Sequence, residues 1–566
     1  GAIYVAGNNA LVSANIKDTK ALGLNAGKGS GGAIYVGGDY SNITASTFEN
    51  CSAGLDSYGG AIYIEGDEAN IEKSTFHNTY AVEGSEGAAG GAIAIEGEDA
   101  VVTDSEFTEC YAREGGVIFV KGGYAKINNT NMSDSYAIND GGAVYILDGV
   151  FTKIFQTTFD NCSAINNDGG AVYIDGYGTT INGAEFIDCS ASSQNGAGGA
   201  IYIKGKDTKI TNALFDSCAS VDGGAIYIDG DDVKISDSEF KSNRLVDYSN
   251  DDNYGGAIYV NGARAVISTS TFEGHSAFTG GSIYINGIDT TIIDSNFTKS
   301  TADYGGAIFI QGANAKISGS DISEASSKYD GGAIYVNGTN ALISADFTEC
   351  NAENGGAIYV SGTNANITDS TFQNCIAMDG GNGGAIFVAG MNTNVENSKF
   401  NNVRTGDDGQ GGAIYIEGAS AKVSESEFEN THAHDGGAIY IEGNDTKIEN
   451  VDIVSSYATN NGGAIYVHGV RTIVNDSTFT TTNTQNDGVG GAINIVGENT
   501  TIINSNFTDS NSAAGGAIYV TGDNAAITGS HFSDISSDTS GGAIYVAGEN
   551  TRIYFRYLNL HWSRVL

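Results

Sequence analysis

The sequence predicts an all-β protein: a single-stranded, right-handed parallel β-helix of about 20 coils of about 27 residues each. Three observations predict it. A six-residue motif, GGAIYV at residues 31–36, occurs in near-copy 21 times, counting the truncated GAIYV at residue 1. Successive copies lie 24 to 32 residues apart. Between them, short runs rich in Ile, Val, Tyr and Phe alternate with period two, and no helical periodicity is sustained. One coil cannot bury its own apolar face, so the core must come from stacking each coil on the next at strand spacing.

The elements follow in order along GGAIYVSGTNANITDSTFQNCIA, residues 355–377. The first run, AIYV, is a strand. Its fourth and sixth motif places are Ile or Val in all 21 copies and are assigned to the core. The fifth place is Tyr or Phe in all but two copies, Ala94 and Asn494, and because it admits Asn it is assigned outward. The reverse facing, with the Tyr inside, is the alternative. Stacked in register, Tyr35, Tyr63, Phe119, Tyr145, Tyr173, Tyr202, Tyr227, Tyr259, Tyr284, Phe309, Tyr335, Tyr359, Phe387, Tyr415, Tyr440, Tyr466, Tyr519 and Tyr545 form an external aromatic ladder. Such a ladder stabilises neighbouring strands and offers an interaction stripe. Gly, Asn and Asp then turn the chain, as in SGTN. A second strand run follows with inward Ile367, Ser370 and Phe372, then a short third strand, so about three strands per coil are expected. All seven Cys share the place three after the Phe; no paired spacing suits zinc, and Ser, Thr and Ala substitutes point to small buried thiols. Length varies mainly before the next glycine pair. The repeat spans residues 1–550, and 551–566, TRIYFRYLNLHWSRVL, is an atypical C-terminal segment, a cap or an artefact.

Composition narrows the function. Acids outnumber bases 68 to 26, a net charge of −42 that repels nucleic acid and anionic membrane. No run of apolar residues is long enough to span a bilayer, so direct membrane insertion is not expected. Sequons at Asn42, Asn128, Asn131, Asn296, Asn337, Asn366, Asn444, Asn475, Asn499 and Asn506 are glycosylation candidates in a secreted chain. The longest interval carries VDYSNDDNY, where Asp247, Asp251 and Asp252 are a weak calcium candidate against the commoner reading of a solvated acidic loop. No other cofactor is expected. His432 and His434 lie two apart and lack a third ligand. No nucleophile–base pair is recognisable, and the expectation is no enzyme.

The repeated GGAI with a following S-x-F unit resembles the repeats of chlamydial polymorphic outer-membrane proteins, although their F-x-x-N motif is met only sporadically, as at Phe240–Asn243. The acidic, Asn- and Thr-rich texture is similar to adhesin-like surface proteins of methanogenic archaea and some bacteria. The resemblance implies a pectin-lyase-like solenoid, an extracellular cell-surface location, and an adhesive or structural role with no catalytic residues to carry over. The expected function is therefore a structural or adhesive rod. Its expected partners are itself, end to end or laterally, or a cell-surface glycan or protein. The alternative is a polysaccharide lyase or glycoside hydrolase acting on acidic glycans.

Overall fold

The structure, a computed structural model, describes residues 1–22, 30–82, 87–246, 253–378, 380–554 and 557–559. Their backbone divides into two units: residues 1–278 with 282–291, and 279–281 with 292–566. Each is a stack of β coils without a helix among the described residues, and so none contains a helix able to cross a membrane.

The coil at residues 356–383 illustrates how the sequence makes the turn. Its strands are Ile358–Val360, Asn366–Thr368, Thr371–Gln373 and Ile376–Ala377. There are four, one more than expected. The second run is split at Asp369, which takes a left-handed φ of 50°. Asn364 and Asn374 bend the other corners at 58° and 57°. Asn and Asp populate this region most readily among residues with a Cβ, which explains why they hold most of the left-handed corners not taken by Gly. Parallel pairing in register joins the first strand to its neighbours, Ile334↔Ile358↔Ile386, and the fourth likewise, Asn351↔Ile376↔Arg404. Fourth strands make a seven-stranded sheet in unit 1, Tyr80 to Leu245, and a ten-stranded sheet in unit 2, Thr301 to Ser540.

The glycine pair is explained by close approach. Gly355 has a φ of +59°, and a Cβ on Gly356 would stand 2.2 Å from the Gly384 carbonyl oxygen and 2.6 Å from that of Ile376. Inside, Ile358, Val360, Ile367, Phe372, Cys375 and Ala377 are fully buried. Phe347, Phe372, Phe400 and Phe428 stack at 4.9, 4.7 and 4.6 Å. Ser370 joins the same interior by accepting the Ala345 N–H at 3.2 Å while its hydroxyl donates to the Thr368 carbonyl at 3.0 Å. All seven Cys are buried free thiols, and burial pushes that of Cys110 up to about 11.

Candidate functional site

The aromatic row exists as a ladder. In unit 2, Tyr335, Tyr359, Phe387, Tyr415, Tyr440 and Tyr466 stack at 4.9, 4.9, 4.8, 5.1 and 4.8 Å. In unit 1, Tyr145, Tyr173, Tyr202, Tyr227 and Tyr259 do so at 5.0, 5.1, 5.1 and 4.6 Å. The rings point away from the tube interior but are half-buried, and Phe387, Tyr415 and Tyr440 are only 7, 7 and 8% exposed. Residues ahead of the glycine pairs cover them: Tyr58 stacks on Phe119 at 5.5 Å, and Tyr304 meets Tyr335 edge-on at 6.0 Å. Phenols on the row also donate to carboxylates of the next coil, Tyr415 to Glu442 and Tyr63 to Glu96. Burial and those carboxylates raise the Tyr415 and Tyr63 phenols well above their ordinary range. The row is a covered ladder, with little of the open stripe that its periodicity suggests.

The other candidates are placed as follows. Asn42, Asn131, Asn296, Asn337, Asn366, Asn444, Asn499 and Asn506 are exposed, while Asn128 and Asn475 are half-buried. Asp247, Asp251 and Asp252 lie outside the described residues. Among the described residues no cluster of three His, Cys, Asp or Glu side chains could hold a metal ion. Arg552–Tyr554, in the atypical C-terminal segment, pairs in register with Ala526–Thr528.

A concavity lies elsewhere, on the fourth-strand face of unit 2. In-register pairing stacks Asn351, Ile376, Arg404, His432 and Tyr457 as one outward row. A depression of about 510 Å³ is lined by Glu349, Asn351, Asn374, Ile376, Asn402 and Arg404. A second, of about 460 Å³, shares Ile376 and Arg404 and continues to Met378, Asp407, His432 and Tyr457. Together they form a shallow trough along successive coils. The rings of His432 and Tyr457 stack at 4.1 Å with 16° between their planes. His432 Nε2 is buried with no hydrogen-bond partner. Burial lowers the His432 pKa, the Arg404 guanidinium lowers it further and Asp407 opposes, so the imidazole is neutral at neutral pH. Beside it, His434 Nδ1 lies 3.1 Å from Thr459 Oγ1. Arg264 and Arg471 are tied to Asp232 and Asp445 at 2.7 and 2.6 Å, whereas Arg404 has no carboxylate within ion-pair reach among the described residues. A free guanidinium, a neutral imidazole, an aromatic ring and corner amides are thus brought to one trough. The sequence reading singled out His432 and His434 but not Arg404 or Tyr457. The signal was the place after the Cys position, read from coil to coil.

A stack of coils paired in parallel and in register defines the parallel β-helix class. The chain belongs to the right-handed β-helix family, whose model matches residues 32–200, 199–368 and 412–559. No curated protein matches it. Similar solved structures include the alginate lyase AlyF-OU02 in a complex, with 12% identity, 62% of this chain and 80% of that one covered, and a TM-score of 0.32. Another is the Azotobacter vinelandii mannuronan C-5 epimerase AlgE6 A-module, with 10% identity, coverage of 92% and 89%, and a TM-score of 0.19. A third is the Vag8–C1 inhibitor complex, with 10% identity, coverage of 97% and 100%, and a TM-score of 0.22. At these scores the likeness assigns this chain no activity of its own. It does overturn the expectation of no enzyme, since a lyase and an epimerase stand among the similar structures.

Proposed function

We propose that this chain is an extracellular β-helix protein that engages glycans, and that an extended acidic polysaccharide lies in the trough of unit 2. The observation that carries the reading is the row Arg404, His432, Tyr457, with its unpaired guanidinium in a trough that runs from coil to coil. A linear polymer presents a group at regular spacing to such a row. Arg404 would take a sugar carboxylate through charge-assisted hydrogen bonds, the corner amides Asn374 and Asn402 would meet hydroxyls, and Tyr457 would carry a sugar face. Engagement of this kind would serve surface adhesion.

The second reading is a polysaccharide lyase at the same place. It is favoured by the neutral imidazole of His432 adjoining Arg404. Elimination from a uronate needs one group to neutralise the carboxylate and another to take the proton from the adjacent carbon and pass it to the departing glycosidic oxygen as the C–O bond breaks, and Arg404 and His432 are of these two kinds.

Titration calorimetry with polyuronate and neutral oligosaccharides tests the first reading. Polyuronate should bind, and Arg404→Ala should weaken it about tenfold or more through loss of a charge-assisted contact. Equal binding by native protein and variant would discard the trough. Absorbance of unsaturated uronate in the same mixtures, with and without calcium, tests the lyase.

A further inference from the structure

We infer that a corner of unit 1 is a second site for an anionic sugar chain, with pyranose faces on Tyr124, Phe151 and Tyr177 and sugar carboxylates on Lys126 and Lys153. The corner follows the first strand of each coil, and its residues are joined from coil to coil. The Asp99 N–H donates to the Gly123 carbonyl, Tyr124 to Val150, Phe151 to Tyr177, Gly178 to Lys206 and Asp207 to Asp231. In unit 2 the same place is held by short polar residues such as Asn314, Asn340 and Asn364, all left-handed. Tyr124 and Phe151 hold it at φ of 60° and 53°, where a bulky side chain is a genuine outlier. Strain at an exposed ring points to a use outside the fold. The three rings are 45, 41 and 47% exposed. Tyr124 stacks on Phe151 at 5.6 Å and 21°, and Tyr177 meets Phe151 edge-on at 5.4 Å and 83°. Gly178 makes room for this, since a Cβ there would stand 2.8 Å from Phe151 Cδ1. A hydrogen bond to Asp207 holds the Tyr177 phenol and raises its pKa. Perpendicular to its neighbour, Tyr177 keeps at least one face clear of the other two rings. Aromatic faces rimmed by phenols suit a ring with apolar C–H faces and hydroxyl edges, which is a pyranose.

The charge beside these rings is opposite in sign to that of the chain. Two residues on from Tyr124 and Phe151 stand Lys126 and Lys153, directly opposed in register, and Lys209 follows beyond Thr180. Like charges opposed on neighbouring strands repel. In unit 2 the same opposition, Lys422↔Lys447, is relieved by Glu449, 3.2 Å from Lys422. In unit 1 the outward companions on these strands are Asn128, Phe155, Asn182 and Thr211, none of them acidic. Lys121, Lys204 and Lys206 are tied to Glu96, Asp175 and Asp231 at 3.6, 2.7 and 3.2 Å. Among the described residues Lys126, Lys153 and Lys209 have no carboxylate within ion-pair reach. On a chain of net charge −42 this is an unneutralised cationic strip, and its complement is a polymer with an anion at each repeat. Asp99 and Asp207 bound the corner row at either end, which confines such a polymer to the rings. The site rests on the trough reading for its class of ligand alone and shares none of its residues, so either can fail without the other.

The test is titration calorimetry of a short oligouronate against the whole 566-residue chain carrying Arg404→Ala, which silences the trough. That protein should still bind the oligouronate. Adding Phe151→Asn, the residue type of the same corner in other coils, should weaken binding about tenfold and leave the melting temperature unchanged or higher, because the strained ring is gone. Adding Lys126→Gln with Lys153→Gln should weaken it about tenfold or more through the lost charge-assisted contacts, again without loss of melting temperature. A neutral oligosaccharide and an oligoglutamate of equal charge should each bind at least tenfold more weakly than the oligouronate, since one lacks the anions and the other the pyranose faces. No binding by the Arg404→Ala protein would overturn the inference while leaving the trough to its own test. Binding undiminished by Phe151→Asn, or oligoglutamate binding as tightly as oligouronate, would overturn the role of the rings and with it the sugar. Binding undiminished by the lysine pair would overturn the anionic ligand. The lysine pair, on an exposed strand face, decides alone should Phe151→Asn misfold.

Discussion

His275 occupies the register place that Cys fills in seven other coils, and it is 1% exposed. Its Nδ1 lies 3.2 Å from Ser282 Oγ and its Nε2 3.4 Å from Asn243 Nδ2, with Phe272 edge-on at 6.1 Å. Burial lowers its pKa to about 3. Above pH 6.5 neither folded nor unfolded chain protonates this ring, so it adds no pH dependence there. As the pH falls from 6.5 towards 3 the unfolded chain takes up a proton that the folded one refuses. Stability should therefore drop by about 1.4 kcal/mol per pH unit from this residue. Asp168 works in the opposite sense, because burial raises it to about 6 and the folded state protonates first as the pH falls. The difference between native protein and His275→Asn, the residue that stands at the same place in the preceding coil, isolates the histidine. Denaturant melts from pH 7 to pH 4 should show the variant gaining on the native protein as the pH falls. Parallel curves would refute a buried neutral ring.

The coil contact is set by the glycine ladder, and substitutions there should separate position from residue type. Gly356→Ala places a methyl 2.2 Å from the Gly384 carbonyl oxygen, backbone that cannot yield without opening the sheet. The expected cost is about 3 kcal/mol or more, in the range of overpacking and strain. Gly542 has the same motif place, yet a methyl there would meet nothing within 4 Å, so Gly542→Ala should fall within about 0.5 kcal/mol of native. Equal losses in chemical denaturation would mean that chain entropy, not approach, requires the glycine. The same contrast explains what was legible. The β-branched places at Ile358 and Val360 marked the first strand, because a position that never admits a polar residue declares its face. The spacing of inward Ile367, Ser370 and Phe372, three and then two, already breaks period two and marks the bend at Asp369. It reads as one run only while that residue's left-handed backbone is overlooked. The cover over the aromatic row was not legible, because it comes from loops of variable length such as those holding Tyr58 and Tyr304.

For the whole molecule, a net charge of −42 on 566 residues makes self-repulsion a systematic term. Raising ionic strength from about 10 mM to about 150 mM shortens the screening length from about 30 Å to about 8 Å and should raise the melting temperature by a few degrees. It should also tighten binding of an acidic polymer, opposite to the behaviour of a basic receptor. Thermal scans and titrations at the two salts check both, and a falling melting temperature would deny the repulsion. The trough itself was only partly readable. Arg404, His432 and Tyr457 are 28 and 25 residues apart along the chain and meet only because coils register place by place. A single coil read alone gives no hint of a row.

That register has a consequence for how such a chain changes over generations. Gly356 faces Gly384 as Gly384 faces Gly412, so each seam offers its neighbours the same join. Loss or duplication of one full period leaves matching surfaces on both sides of the cut. A gene of this design can be lengthened or trimmed in whole units by unequal crossing-over, while each site carried on a few adjacent units travels intact.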